Sequence, residues 1–210
     1  MNRFSFLLLL LVIAVPVAAQ PEVRLYVHGG PTVPLRPDAF GDFWNTGYSL
    51  GGAAGLVVLG DWEVVLSAAY NRLALDRKRF IAEGEAFGVQ LAVDGGAFVI
   101  ASGSVRLKYN LEVGRWFAPY LAAGLGLHAQ SIETLTIQEV GGGSAFILPA
   151  AEVEDETAPA LELAAGLGYA LGKQVTAYTE PNYLLVFGEQ DRHHYLAVKF
   201  GLVFRLTGAQ

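Results

Sequence analysis

Four histidines, His28, His128, His193 and His194, and no cysteine make up this 210-residue chain's stock for a soft metal site or a histidine-activated nucleophile. Acyl-transfer chemistry needs a nucleophile with a base in hydrogen-bond reach. His193 and His194 are neighbours, and on a strand adjacent side chains point to opposite faces, so they cannot share one metal ion or cooperate as base and ligand. His128 precedes Ser131 by an odd spacing, which separates that pair as well if the strand runs so far. Apart from His28, the histidines are expected as solvated residues at the rim of whatever the strands build. The absence of cysteine removes a disulfide framework and any thiolate metal site, and no cofactor is implied. Carboxylates cluster in 131–159, where Glu133, Glu139, Glu152, Glu154, Asp155 and Glu156 occur without Lys or Arg. They read as a solvated loop, or alternatively as a weak divalent-cation or partner surface, since hard cations prefer oxygen ligands. The run Asp76-Arg77-Lys78-Arg79 has the opposite chemistry and suits anionic phosphates. A formal net charge of -6 argues against nucleic acid, whose backbone demands a basic footprint.

Elements must position these residues, and the first of them is expected to be removed. Asn2-Arg3, the apolar run "FLLLLLVIAVPV" and the small residues before Gln20 have the order of a secretory signal, so 1–19 reads as a cleaved leader and 20–210 as one domain. Pro16 and the small residues end the run early, which disfavours an anchoring helix. No later run reaches membrane-helix length, although mean hydropathy is +0.39 and only 16% of residues are charged.

The remaining apolar content alternates with period two. Candidate strands fall near 22–30, 48–59, 62–73, 99–111, 117–130, 160–171, 174–187 and 193–206, most near or above the roughly 9–11 residues that a tilted membrane strand needs. The connections at 60–61, 112–115 and 172–173 are tight, whereas 31–47, 74–98, 131–159 and 188–192 are mostly longer. Short–long alternation with an even strand count predicts an all-β fold: an eight-stranded antiparallel up-and-down transmembrane β-barrel with periplasmic turns and external loops.

The faces of the strands agree. Along 99–111, Val99, Ala101, Val105, Leu107 and Tyr109 oppose Ser102, Ser104, Arg106, Lys108 and Asn110, and the second set is no hydrophobic core. A soluble lipocalin-like barrel would instead point the large apolar residues inward, around a ligand. Aromatic placement favours the membrane. Trp62 and Phe117 open ascending strands while Tyr109, Tyr169 and Phe204 lie near the ends of descending ones; Tyr48, Tyr70 and Phe187 mark the other rim. Two aromatic girdles flanking an apolar band are expected of a lipid-facing barrel.

Eight strands enclose a space that side chains fill or that holds one small ligand. The inward candidates are Arg24, Tyr26, Glu63, Arg106, Lys108, Tyr120, Glu162, Tyr178, Glu180, Lys199 and Arg205. A simple hairpin at 188–192 places Glu180 opposite Lys199 and Gln174 opposite Arg205, and the 172–173 turn is expected to set Gly166 against Tyr178.

The last strand, Lys199-Phe200-Gly201-Leu202-Val203-Phe204-Arg205-Leu206, reads polar-x-Gly-x-x-hydrophobic-x-hydrophobic. In this and in the strand count over 22–206, the chain resembles the small outer-membrane β-barrel proteins of the OmpA/OmpX type. The resemblance implies that Lys199, Gly201, Phe204 and Leu206 form an assembly signal read by the barrel-assembly machinery. It also implies residence in the outer membrane of a Gram-negative-type bacterium among lipid and lipopolysaccharide, as a monomer. The chain departs from the family by continuing past Phe204 as "RLTGAQ", a tail too short for a peptidoglycan-binding domain. Some eight-stranded relatives deacylate or palmitoylate lipid A, but the His-x-Ser arrangement of the deacylases has no match, so no enzyme is expected. The expected role is structural or surface-interacting, with a lumen plugged by charged and aromatic side chains. The alternatives are a narrow channel or transporter of small or hydrophobic solutes and, third, the soluble ligand-binding barrel.

Overall fold

Alternation forces each strand to send one set of side chains to each face, and a closed sheet gives those faces different solvents. The computed structural model describes residues 22–36, 43–85, 91–111, 116–139, 145–148, 156–188 and 192–206. The leader 1–19, the turn 112–115 and the acidic residues 152, 154 and 155 lie outside the described residues. The elements in chain order are β1 (Val23–Arg36), β2 (Gly47–Leu59), β3 (Trp62–Leu73), α1 (Arg77–Glu85), β4 (Leu91–Gly95), β5 (Phe98–Asn110), β6 (Phe117–Ile132), β7 (Leu135–Glu139), β8 (Ala145–Leu148), β9 (Glu156–Ala170), β10 (Val175–Phe187) and β11 (Arg192–Leu206). Eight of them close an antiparallel barrel in the order β1-β11-β10-β9-β6-β5-β3-β2, as the strand pattern predicts. Closure comes from the first and last strands, which pair from Val23 with Leu206 to Arg36 with His194. Among the described residues no helix is long and apolar enough to cross a membrane; the crossing elements are strands.

The outward face is the large apolar one. Leu125 is 69% exposed, and Leu66, Phe200, Leu121 and Val105 are likewise exposed on the outer surface. Exposure on that scale is untenable in water and ordinary in lipid, where hydrocarbon replaces a protein core as the apolar solvent.

The hairpin turns at one end set the register. Gly60 adopts φ +52° between the paired residues Leu59 and Trp62; a two-residue turn needs such a backbone, and glycine adopts it without a Cβ penalty. The turn after β9 is wider than its sequence suggests. The N–H groups of Leu171 and Gly172 both donate to the Val175 carbonyl, and pairing begins at Ala170 with Thr176. The expected Gly166–Tyr178 apposition is therefore displaced by two residues. Tyr178 lies opposite Gly168, while Gly166 lies opposite Tyr120 on β6. A two-residue displacement preserves the face of every side chain, whereas a one-residue slip would turn the strand inside out.

At the other end the long connections are not plain loops. The 74–98 linker carries α1 and β4, and 131–159 carries β7, β8 and the start of β9. β4, β7 and β8 form a separate three-stranded sheet. β1 continues to Arg36, six residues past its expected end, and β9 begins at Glu156, so the 31–47 and 131–159 connections are shorter than they read. The Asp76 carboxylate accepts from the Arg79 N–H at 3.2 Å at the start of α1, an N-cap. Trp44 spans the loops, its indole N–H donating to the Gly96 carbonyl at 3.1 Å and its ring 5.5 Å from that of Phe98.

Gly166 tests the register. A Cβ there would lie 2.1 Å from Cζ of Tyr120, so Gly166→Ala is expected to cost about 1–3 kcal/mol through overpacking. Urea unfolding in lipid vesicles measures it, and adding Tyr120→Leu should recover part of the loss.

Candidate functional site

The alternation that exposes leucine to lipid turns the polar residues inward, and they stack in layers along the barrel axis. Nearest the turn end, Glu63 on β3 is paired in register with Lys108 on β5. Its carboxylate, 0% exposed, accepts from the Tyr26 hydroxyl at 2.5 Å and from Arg24 Nη1 at 2.9 Å. Lys108 Nζ donates to the Tyr26 oxygen at 2.9 Å, lies 3.5 Å from Glu63 and sits 4.1 Å from the centroid of the Tyr120 ring. Arg24 continues outward to Glu22 at 2.7 Å.

The next layer is organised by Glu180. Its carboxylate accepts from Arg106 Nη1 at 2.7 Å, from the Tyr120 hydroxyl at 2.9 Å and from Lys199 Nζ at 3.3 Å. Arg106 Nε stands 4.0 Å from Glu162. Register positions Lys199 directly opposite Glu180, and Gly201 opposite Tyr178. Two carboxylates thus face two cations within one buried layer, and burial of charge is tolerable only with such pairing.

Above this layer the lining becomes neutral. Ser67 and Ser104 hydroxyls are 2.7 Å apart, the Thr32 hydroxyl donates to Asn71 Oδ1 at 3.2 Å, and Asn182 Nδ2 donates to Glu162 at 3.4 Å. His28 projects here from β1. His128 is 0% exposed: its Nδ1 is 2.7 Å from the Tyr195 hydroxyl and its Nε2 is 3.7 Å from Glu162. The expectation of solvated rim histidines is therefore wrong for His128, which lies within the expected strand 117–130 and shares the inward parity of Tyr120 on β6. The row Glu162–His128–Tyr195 contains carboxylate, imidazole and phenol, and all three are buried. An apolar layer of Leu73, Phe98, Ile100, Leu184, Val186 and Tyr195 lies toward the loop end, with Trp44 and Ile132 packed against it.

The other singled-out residues fall as follows. Arg205 is at the turn-end mouth, its side chain 41% exposed and 3.9 Å from Glu22, and its N–H bonds the Gln174 carbonyl at 2.8 Å. Trp62 and Tyr109 pair at 4.8 Å between centroids, Phe117 and Tyr169 at 5.4 Å, and Tyr48 and Tyr70 at 6.4 Å at the opposite rim. Phe187 lies under the Arg192 guanidinium at 5.7 Å. Phe204 and Leu206 face outward and are exposed. His193 bonds Gln130 at 2.9 Å, and His194, on the other face, bonds the Tyr183 hydroxyl. Ser49 and Tyr195 were not singled out by sequence, although their parity along β2 and β11 places them inward. Among the described residues no group of three or more His, Asp or Glu could hold a metal ion.

At the loop rim Glu133 is not a free loop carboxylate: Arg72 Nε and Nη2 grip its two oxygens at 2.8 and 2.7 Å. This bidentate bond holds the Glu133 carboxyl below its ordinary range. The contact is therefore fully formed above the ordinary carboxylate pKa and is lost as pH falls through the depressed one.

Closed eight-strand topology, a lipid-suited exterior and a polar interior define a transmembrane β-barrel. The sequence matches the outer membrane protein beta-barrel domain over residues 4–205, and the chain belongs to that family. Neisserial surface protein A superposes with a TM-score of 0.54 at 15% identity, covering 90% of this chain and 98% of that one. OprG from Pseudomonas aeruginosa superposes with 0.52 at 12% identity, covering 90% and 97%. Ail, the attachment invasion locus protein of Yersinia pestis, gives 0.50 at 14% identity, covering 90% and 100%. At these identities the likeness is one of fold. No curated protein matches the sequence.

Removing one partner from the buried layer should cost far more than removing one at the rim. Glu180→Gln leaves Arg106 and Lys199 short of a charge and is expected to cost about 3–5 kcal/mol. Glu133→Gln, at a contact more than a third exposed on both sides, is expected to cost under about 1 kcal/mol. Equilibrium urea unfolding of both variants in vesicles measures the difference.

Proposed function

We propose that the protein is an integral outer-membrane barrel with a structural or surface-interaction role, whose lumen is plugged and which performs no catalysis. The observation that carries this reading is the Glu180 layer, in which Arg106, Tyr120 and Lys199 converge on one carboxylate across the barrel. Opening a water path there requires separating buried ion pairs, which costs several kcal/mol for each ion left unpaired. The apolar layer above adds a stretch that hydrated ions enter only at high cost. In this reading residues 1–19 serve as the secretory leader, the strand around Lys199, Gly201, Phe204 and Leu206 is what the assembly machinery reads, and the barrel works as a monomer. The face that meets partners is then the loop end with α1 and the β4-β7-β8 sheet.

Planar-bilayer recording tests the plug. The refolded chain is expected to give no steady large conductance, and such a conductance would establish the channel alternative instead. The outward reading also assigns Arg77, Lys78 and Arg79, exposed at the start of α1, to lipopolysaccharide phosphates. Arg77 also bonds Asp94 at 2.6 Å, and Lys78 and Arg79 extend the basic run along the start of α1. Neutralising both should reduce association with lipopolysaccharide micelles several-fold and increase its sensitivity to salt. Unchanged association would remove this assignment.

A further inference from the structure

Between the Glu180 layer and the apolar layer lies a small cavity lined by residues of seven strands, among them His28, Ser49, Asn71, Glu162, Asn182 and Lys199. Several polar atoms on it have no hydrogen-bond partner among the described residues. Both ring nitrogens of His28, Ser49 Oγ and Asn182 Oδ1 are buried and unpaired, in residues that are 7%, 0% and 1% exposed. The His28 position is a built one: a Cβ at Gly51 would come within 2.7 Å of His28 Nε2, so the ring occupies space that only glycine leaves open. An unpaired buried polar group costs about 1–3 kcal/mol, and three such residues around one cavity point to a ligand that satisfies them.

The lining specifies its chemistry. Neutral imidazole presents one donor and one acceptor, the serine hydroxyl presents both, and the asparagine oxygen only accepts. The ligand must therefore donate and accept. It must also be uncharged, because Arg106 and Lys199 are already balanced by Glu162 and Glu180 and a further ion would be buried without a counter-charge. It must be small, since the cavity leaves about 10 Å³ for the centre of a water-sized sphere, close to the minimum that holds one water.

We propose that this cavity is a water-binding site, in which ordered water hydrogen-bonds His28, Ser49 and Asn182 and ties β1 and β2 to β10 across the lumen. The inference rests on the inward placement of these side chains and stands whether or not the lumen conducts.

The test uses the full chain refolded in detergent micelles. Magnetisation transfer from water to the side-chain signals of His28 and Asn182 is expected at positions that bulk solvent does not reach. Ser49→Ala is expected to lower the urea midpoint, because it removes a group that the water satisfies; in a dry cavity the same change deletes an unsatisfied hydroxyl and raises the midpoint. Absence of transfer at both residues, or a raised midpoint in Ser49→Ala, overturns the proposal. A midpoint of the unmodified protein that increases with chloride at constant ionic strength overturns the assignment of a neutral ligand.

Discussion

A bilayer offers the backbone no hydrogen-bond partner, so every N–H and C=O within it must be satisfied by the chain itself. For a chain built of strands this means closure, and here closure rests on the pairing of β1 with β11, the first and last strands of the fold. All other features follow from that seam. Once the sheet is closed, alternation divides the side chains into a set that meets lipid and a set that meets only other members of the lumen. The apolar set needs no packing partner. The inward set must satisfy itself.

That requirement explains the crowding of charges around few atoms. Eight strands leave a narrow interior, so Arg106, Lys108 and Lys199 cannot reach bulk water and must be met by Glu63, Glu162 and Glu180 within it. Tyrosines complete the arrangement because a phenol supplies bulk for the lumen and a polar tip for the carboxylates: Tyr26 serves Glu63 and Tyr120 serves Glu180. Glycines make room for them, with Gly166 and Gly201 lying beneath the rings of Tyr120 and Tyr178. The result is a graded interior, with ion pairs toward the turn end, neutral polar groups at mid-height and an apolar layer toward the loop end.

Most of the barrel was legible in the sequence because period two is a local property. Each strand declares its own two faces, and β3 was read with its observed limits. Inward placement of Arg106, Lys108, Glu162 and Glu180 follows from parity alone. Partners across one hairpin were also within reach: Glu180 opposite Lys199 required only the closing of a short connection. The Gly166 pairing failed because it depended on whether the turn after β9 uses two residues or more, which is decided by how Leu171 and Gly172 bond Val175. His128 lies inside the expected strand 117–130 at the parity of inward Tyr120, so its inward face was legible, while its partners Tyr195 and Glu162 depend on the pairing of distant strands.

By itself the sequence determined that this chain forms membrane-spanning strands, how many there are, and which side chains each sends to lipid and to the lumen, because these follow from alternation and length. Only the tertiary structure decided which residues meet across the lumen. Arg106 reaches Glu180 over 74 residues of chain, and Lys108 meets Tyr26 over 82, through strand tilt and closure that no local pattern encodes. It also decided that Trp44 and the β4-β7-β8 sheet are ordered parts of the loop end. The physical reason is the same in each case: a face is set by the next residue along the strand, whereas a partner across a barrel is set by the register of every pair between them.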